Sequence, residues 1–179
     1  MARLVALLRG INLGRSRRVA MADLRKLLEG LGYADVRTHL QSGNAVLTTD
    51  DPPEAVAAAI EARIAERMGL EVGVVVRTGD DLAAIVAADP LGQVAGDPAR
   101  RMVIFLPAPP DRAVLRALER QDFGDERLAV AGREIHAWCP DGIGRSPLMA
   151  ALGDARVSPG GTARNWRTVT RLAEMAAAP

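Results

Sequence analysis

The amino-acid sequence predicts an α+β protein of two ferredoxin-like halves, packed as one unit or sharing a sheet. Two observations predict it. Short apolar runs of strand length alternate with segments of helical spacing along the chain. The order β-α-β-β-α-β is completed within residues 1–78, and β-α-β-β-α recurs within residues 79–179, the expected second half.

The elements follow in order. Leu4–Leu8 is an unbroken apolar run, as in a strand buried on both faces. In "MADLRKLLEGLG", Met21, Leu24, Leu27, Leu28 and Leu31 fall on one helical face and Gly32 provides a stop. "VRTHLQ" alternates, with Val36, Thr38 and Leu40 facing one way. "SGN" is a turn signal and "AVLTT" a second strand after it. "PPEAVAAAIEARIAERMGL" opens on prolines, runs through alanine-rich helix and stops at Gly69. "VGVVVRT" closes the first half as a strand apolar on both faces, so this edge is expected to be covered or paired.

In the second half, "DDLAAIVAA" reads as a short helix ended by Pro90, and "QVAGDPAR" as a loop. "RMVIFL" is a strand, "DRAVLRALER" a helix, and "RLAVAGREIHAW" a hairpin turning at Ala131–Gly132. "PDGIGRSP" reads as a loop, and a final helix is expected to open near Thr162 with Thr162 as its N-cap.

With 179 residues, 49% hydrophobic and 25% charged, the chain is long enough for one large domain or two small ones. The net charge of +1 provides no global basic field for nucleic acid, although nearly every cation is arginine, Lys26 being the exception. Cys139 is the single cysteine, which fits a reducing, cytoplasmic setting. The apolar run before Arg9 is too short for a signal-peptide core, and no stretch approaches the length of a membrane span.

Five stretches stand out together: "RGINLG", "LQSGNAVL", "VVVRT", "WCPDGIGRS" and "TARNWRTVTRL". In register, they resemble the uncharacterised bacterial family known as domain of unknown function 1697, over essentially the whole chain. "GRSRR" stands where the family usually has a second glycine and lysines, and Ala163 replaces one of two threonines. The resemblance implies an α+β, plait-like fold and implies no activity.

In a ferredoxin-like sheet the first strand ends where the third begins. This brings Arg9 and Asn12 to the same edge as Gln41, Ser42 and Asn44. The group suits an anion or an amide; equally, Gly43–Asn44 is an ordinary hairpin turn and Gly10 and Gly14 shape a loop. The ending of a P-loop is absent. In "PDGIGRS", Asp141 and Ser146 form either a turn or a site. Near the C-terminus, Arg164, Asn165 and Thr168 are read as an anion site at a helix start, with Arg9 joining if the basic windows 1–22 and 155–173 meet. Trp166 is read as an anchor toward the core. The bland reading pairs these arginines with internal acids such as Asp141 or Asp154.

His39 and His136 are too few and too isolated for a metal site, Cys139 has no evident activating group, and no motif calls for a cofactor. Three functional readings follow. The first is a protein binding an anionic small molecule or nucleic-acid end, away from any membrane. The second is an enzyme acting on a phosphorylated or carboxylated small molecule, with Asp141 as base or metal ligand. The third is a structural or protein-interaction module.

Overall fold

The structure, a computed structural model, describes residues 1–14 and 17–177. The chain divides into two compact units, Met1–Val86 with Arg171–Pro179, and Ala87–Thr170.

The first unit opens with strand β1 (Ala2–Leu8), helix α1 (Met21–Gly30), β2 (Ala34–His39), β3 (Asn44–Thr49), α2 (Pro53–Met68) and β4 (Val74–Thr78). Its strands form one antiparallel sheet in the order β2-β3-β1-β4. Leu4, Ala6 and Leu8 of β1 and Ala45 and Leu47 of β3 share a core with Leu24, Leu28, Val56, Ile60 and Ile64 from the two helices. Each such fully buried leucine, isoleucine or valine side chain contributes about 2 kcal/mol, and the alanines less. The helix stops work as the sequence implies: Gly69 caps α2 at φ +63° and donates its N–H to Ala65 O. Strand β2 starts earlier than the alternation suggests, and Asp35, at φ +51°, lies where its register with β3 shifts.

Helix α3 (Gly79–Ala88) leads into the second unit, where β5 (Arg101–Phe105), α4 (Arg112–Glu119), β6 (Arg127–Ala131), β7 (Glu134–Trp138), α5 (Pro147–Leu152) and β8 (Thr162–Asn165) follow; α6 (Trp166–Ala177) starts in this unit, and its part from Arg171 belongs to the first. The sheet order β6-β7-β5-β8 repeats the topology of the first. The fold is therefore α+β with two four-stranded antiparallel sheets, separate rather than continuous. Ile104, Ile135, Ala137 and Cys139 pack with Leu115 and Leu118 of α4 and Leu148 and Leu152 of α5. Glu134, His136, Thr162 and Arg164 alternate with that apolar set and are also buried.

The "TARNWRTVTRL" stretch differs from its expected form. Thr162 is not an N-cap but the first residue of strand β8, and α6 opens at Trp166. Asn165 caps it, its Oδ1 accepting from Thr168 N–H at 2.9 Å. The reason is tertiary: Thr162–Asn165 pairs antiparallel with β5 from Phe105 to Met102, which draws four residues of weak intrinsic preference into the sheet. At the end of the expected loop 140–147 the chain enters the short helix α5, which no helical period in the sequence marks and which Ser146 Oγ caps.

Candidate functional site

Three segments of the first unit meet at one end of its sheet. Leu7 of β1 lies opposite Asn44 of β3, and Leu8 opposite Val74 of β4. The loop leaving β1 therefore begins beside the 40–43 turn and the approach to β4. Arg9 N–H donates to Gly73 O and Leu8 N–H to Gly43 O, both at 2.8 Å.

Asn12 ties the loop together. Its Nδ2 donates to Val19 O at 2.9 Å and to Gln41 O at 2.7 Å, while its Oδ1 accepts from Val19 N–H at 2.9 Å. The amide thus imitates a strand edge for Val19 and clamps the loop to the turn. Asn44, fully buried, donates to His39 O at 2.7 Å and Ser42 Oγ at 3.0 Å. Gly43 sits at φ +81°, and a Cβ there would stand 2.6 Å from Ile11 Cδ1. Backbone and space both demand glycine.

The backbone of this loop alternates. Gly10, Asn12 and Gly14 have φ of +63°, +56° and +68°, whereas Arg9, Ile11 and Leu13 between them do not take positive φ. Alternation of this kind turns successive N–H groups toward a common concavity, an arrangement that binds anions. Among the described residues, no group accepts from the N–H of Gly10, Ile11, Leu13 or Gly14. Arg9, Arg17 and Arg18 are exposed, and among the described residues none has a carboxylate within ion-pair distance. A Cβ at Gly10 would stand 3.6 Å from Arg17 Nη1, which places that guanidinium over the loop. Arg17 also donates to Glu71 O. Arg15, counted in the basic window, lies outside the described residues.

The second unit gathers a different cluster. The Arg101 guanidinium lies over the Trp166 ring at 4.1 Å from its centroid and is paired with Asp89. His136 is tilted against the same ring, centroids 6.1 Å apart. Burial first, then the neighbouring Arg101 charge, pushes the His136 imidazole down to about 4, against an opposing pull from Asp89. Arg164, buried on β8, donates to Thr162 Oγ1 and Ala163 O, and burial lowers it to about 10, so it stays charged at neutral pH. Sequence reasoning did not foresee this cluster, because its members come from four separate segments. The apolar–polar alternation of "EIHAW" was its one visible sign.

A family model described as protein of unknown function (DUF1697) matches residues 1–136. The chain belongs to that family. A search of curated proteins finds no match. Among solved structures, this DUF1697 chain is similar to one titled as the structure of conserved bacterial protein SP0830 from Streptococcus pneumoniae. The two share 24% identity over 98% of each chain with a TM-score of 0.81. That likeness concerns the fold.

The other sequence-derived candidates of the DUF1697 chain belong to the second unit. Asp141 is exposed in its turn. Ser146 caps α5, its Oγ accepting from Met149 N–H at 2.9 Å. Cys139 is buried, and burial pushes its thiol up, ahead of a hydrogen bond with Ser146 that lowers it. Arg164 and Asn165 are consecutive on β8, and Thr168 is buried one turn into α6. Of the other arginines there, Arg167 lies 3.8 Å from Asp97 and Arg171 is paired with Glu174 at 2.9 Å. Among the described residues, no three His, Cys, Asp or Glu side chains gather as a metal site would require, and no helix is long and apolar enough to cross a membrane.

Proposed function

We propose that this protein binds an anionic ligand, a phosphate or carboxylate group, in the loop Arg9–Gly14 beside the Gln41–Asn44 turn. The observation that carries the reading is the alternating sign of φ from Arg9 to Gly14. Backbone N–H groups turned into one concavity favour an oxyanion, and the Arg17 guanidinium over Gly10 adds a charged donor. Asn12 supports the reading from below, since its bonds to Val19 and Gln41 hold the loop in shape before a ligand arrives. The exposed side chain of Gln41 stands at the rim.

The test is a titration with pyrophosphate followed by amide NMR. Saturable shifts concentrated at Gly10, Ile11, Leu13 and Gly14 are expected. Gly14→Val is expected to abolish them, because a β-branched residue resists φ +68° although nothing lies within 4 Å of its Cβ. Shifts that fail to saturate, or that spread evenly over exposed arginines, would overturn the reading.

A further inference from the structure

Two leucines stand out in solvent beside the proposed anion loop. Leu13 is 71% exposed and Leu40 is 55% exposed. They flank the hydrogen bond from Asn12 to Gln41, one residue before or after each partner. Leu40 is also held at φ +58°, a conformation that costs a leucine free energy and that glycine or asparagine would adopt without strain. Side chains so exposed line no enclosed cavity. They present an apolar tip next to the N–H donors of Gly10, Ile11, Leu13 and Gly14, where the Arg17 guanidinium also lies, with the exposed Arg18 next to it in sequence.

Building on the anion reading, we propose that the ligand is the phosphorylated end of a nucleic-acid strand. A terminal phosphate monoester enters the Arg9–Gly14 loop, the outer face of the terminal base lies on Leu13 and Leu40, and Arg17 and Arg18 meet the phosphates that follow. The end of a strand differs from its interior in the two respects this surface answers. It carries a dianionic monoester in place of a monoanionic diester, and it leaves one base face without a stacking partner. Apolar side chains, leucine among them, contact base faces when they wedge between base steps.

Charge separates this ligand from its rivals. Proteins that grip the body of a duplex neutralise roughly six to ten phosphates. A chain of net charge +1, whose exposed Arg9, Arg17 and Arg18 stand within ten residues of one another, answers to a few. An anionic membrane surface would also meet arginines and leucines, but even a myristoyl chain, far more apolar than two leucines, anchors only marginally.

The experiment is fluorescence anisotropy on the full chain with short blunt DNA duplexes bearing phosphate at the 5′ end, at the 3′ end, or hydroxyl at both, and with a closed dumbbell that has no ends. We expect one phosphorylated duplex to bind at least about tenfold tighter than the hydroxyl duplex and the dumbbell, a preference of the size one well-satisfied anion contact supplies. Leu40→Ser, outside the anion loop, is expected to weaken that binding about threefold while leaving pyrophosphate shifts unchanged. Arg17→Ala with Arg18→Ala is expected to make the salt dependence shallower by about two phosphate contacts. Equal affinity for the dumbbell and all ends, or capture by anionic vesicles with no end preference, would overturn the proposal. With pyrophosphate shifts intact, that result would leave the anion reading standing; absence of the shifts would remove both.

Discussion

Acid should destabilise the second unit through one imidazole. His136 is 2% exposed, with Arg101 and Asp89 close by, Glu134 two residues away on β7, and Arg164 two strands across through Val103. Its folded value of about 4 lies below the 6.5 of a free side chain. Above pH 6.5 both states are neutral there and the group adds nothing. As pH falls from 6.5 toward 4, the unfolded chain takes a proton that the folded chain refuses, so stability is lost across that window. At about 1.4 kcal/mol per pH unit, the full gap corresponds to about 3 kcal/mol, and about 2 kcal/mol of it falls between about pH 7 and pH 5. Urea unfolding of wild type and His136→Gln at those two pH values isolates the term, because the carboxylates and His39 cancel in the difference. The wild type should lose about 2 kcal/mol more than the variant. The His136 ring signal, followed by NMR in the wild type, should titrate near pH 4. A midpoint near 6.5, or parallel losses in both proteins, would refute the reasoning.

Three further outcomes are expected. Gly43→Ala should cost about 2 kcal/mol or more in urea unfolding, because its Cβ would stand 2.6 Å from Ile11 Cδ1 and 2.9 Å from Leu8 Cβ at a φ of +81°; a loss below about 0.5 kcal/mol would show that the turn relaxes freely. Asn165→Ala should destabilise by about 1 kcal/mol through loss of the α6 cap, and circular dichroism should show a shorter helix. Cys139 should react with a thiol reagent only at the rate of unfolding, since its thiol is buried and raised; prompt labelling of the native protein would contradict the packing.

The first unit was readable because its signals agree with one another. Proline at the start of α2, Gly69 at its end and the run Leu4–Leu8 each name one element, and tertiary contacts change none of them. The misread segment around Thr162 lacks such agreement. "TARN" carries no apolar residue except alanine, so its strand is dictated by the free edge of β5, which lies some 60 residues earlier in sequence. Helix α5 has six residues, too few for a helical period to declare itself, although Ser146–Pro147 carried its start signal. In the site, Gly10, Asn12 and Gly14 stand two residues apart, each a type that tolerates positive φ. That spacing was present in the sequence, yet only the backbone shows the alternation running without a break. The Arg101–Trp166–His136 stack left no sign beyond the alternation of "EIHAW", because β5, β7 and α6 bring it together.

The composition of the first unit bears on the order of events during synthesis. Met1–Val86 leaves the ribosome first, yet the unit also includes the segment from Arg171. Arg37 on β2 donates to Met175 O at 2.7 Å, across 138 residues of sequence, and a Cβ at Gly79 would stand 3.4 Å from Ala176 Cβ. The nascent first sheet can thus form early, but it must wait through translation of the whole second unit before α6 supplies its last partners. A chaperone surveying the nascent chain would meet a first sheet folded in outline and finished only once α6 emerges.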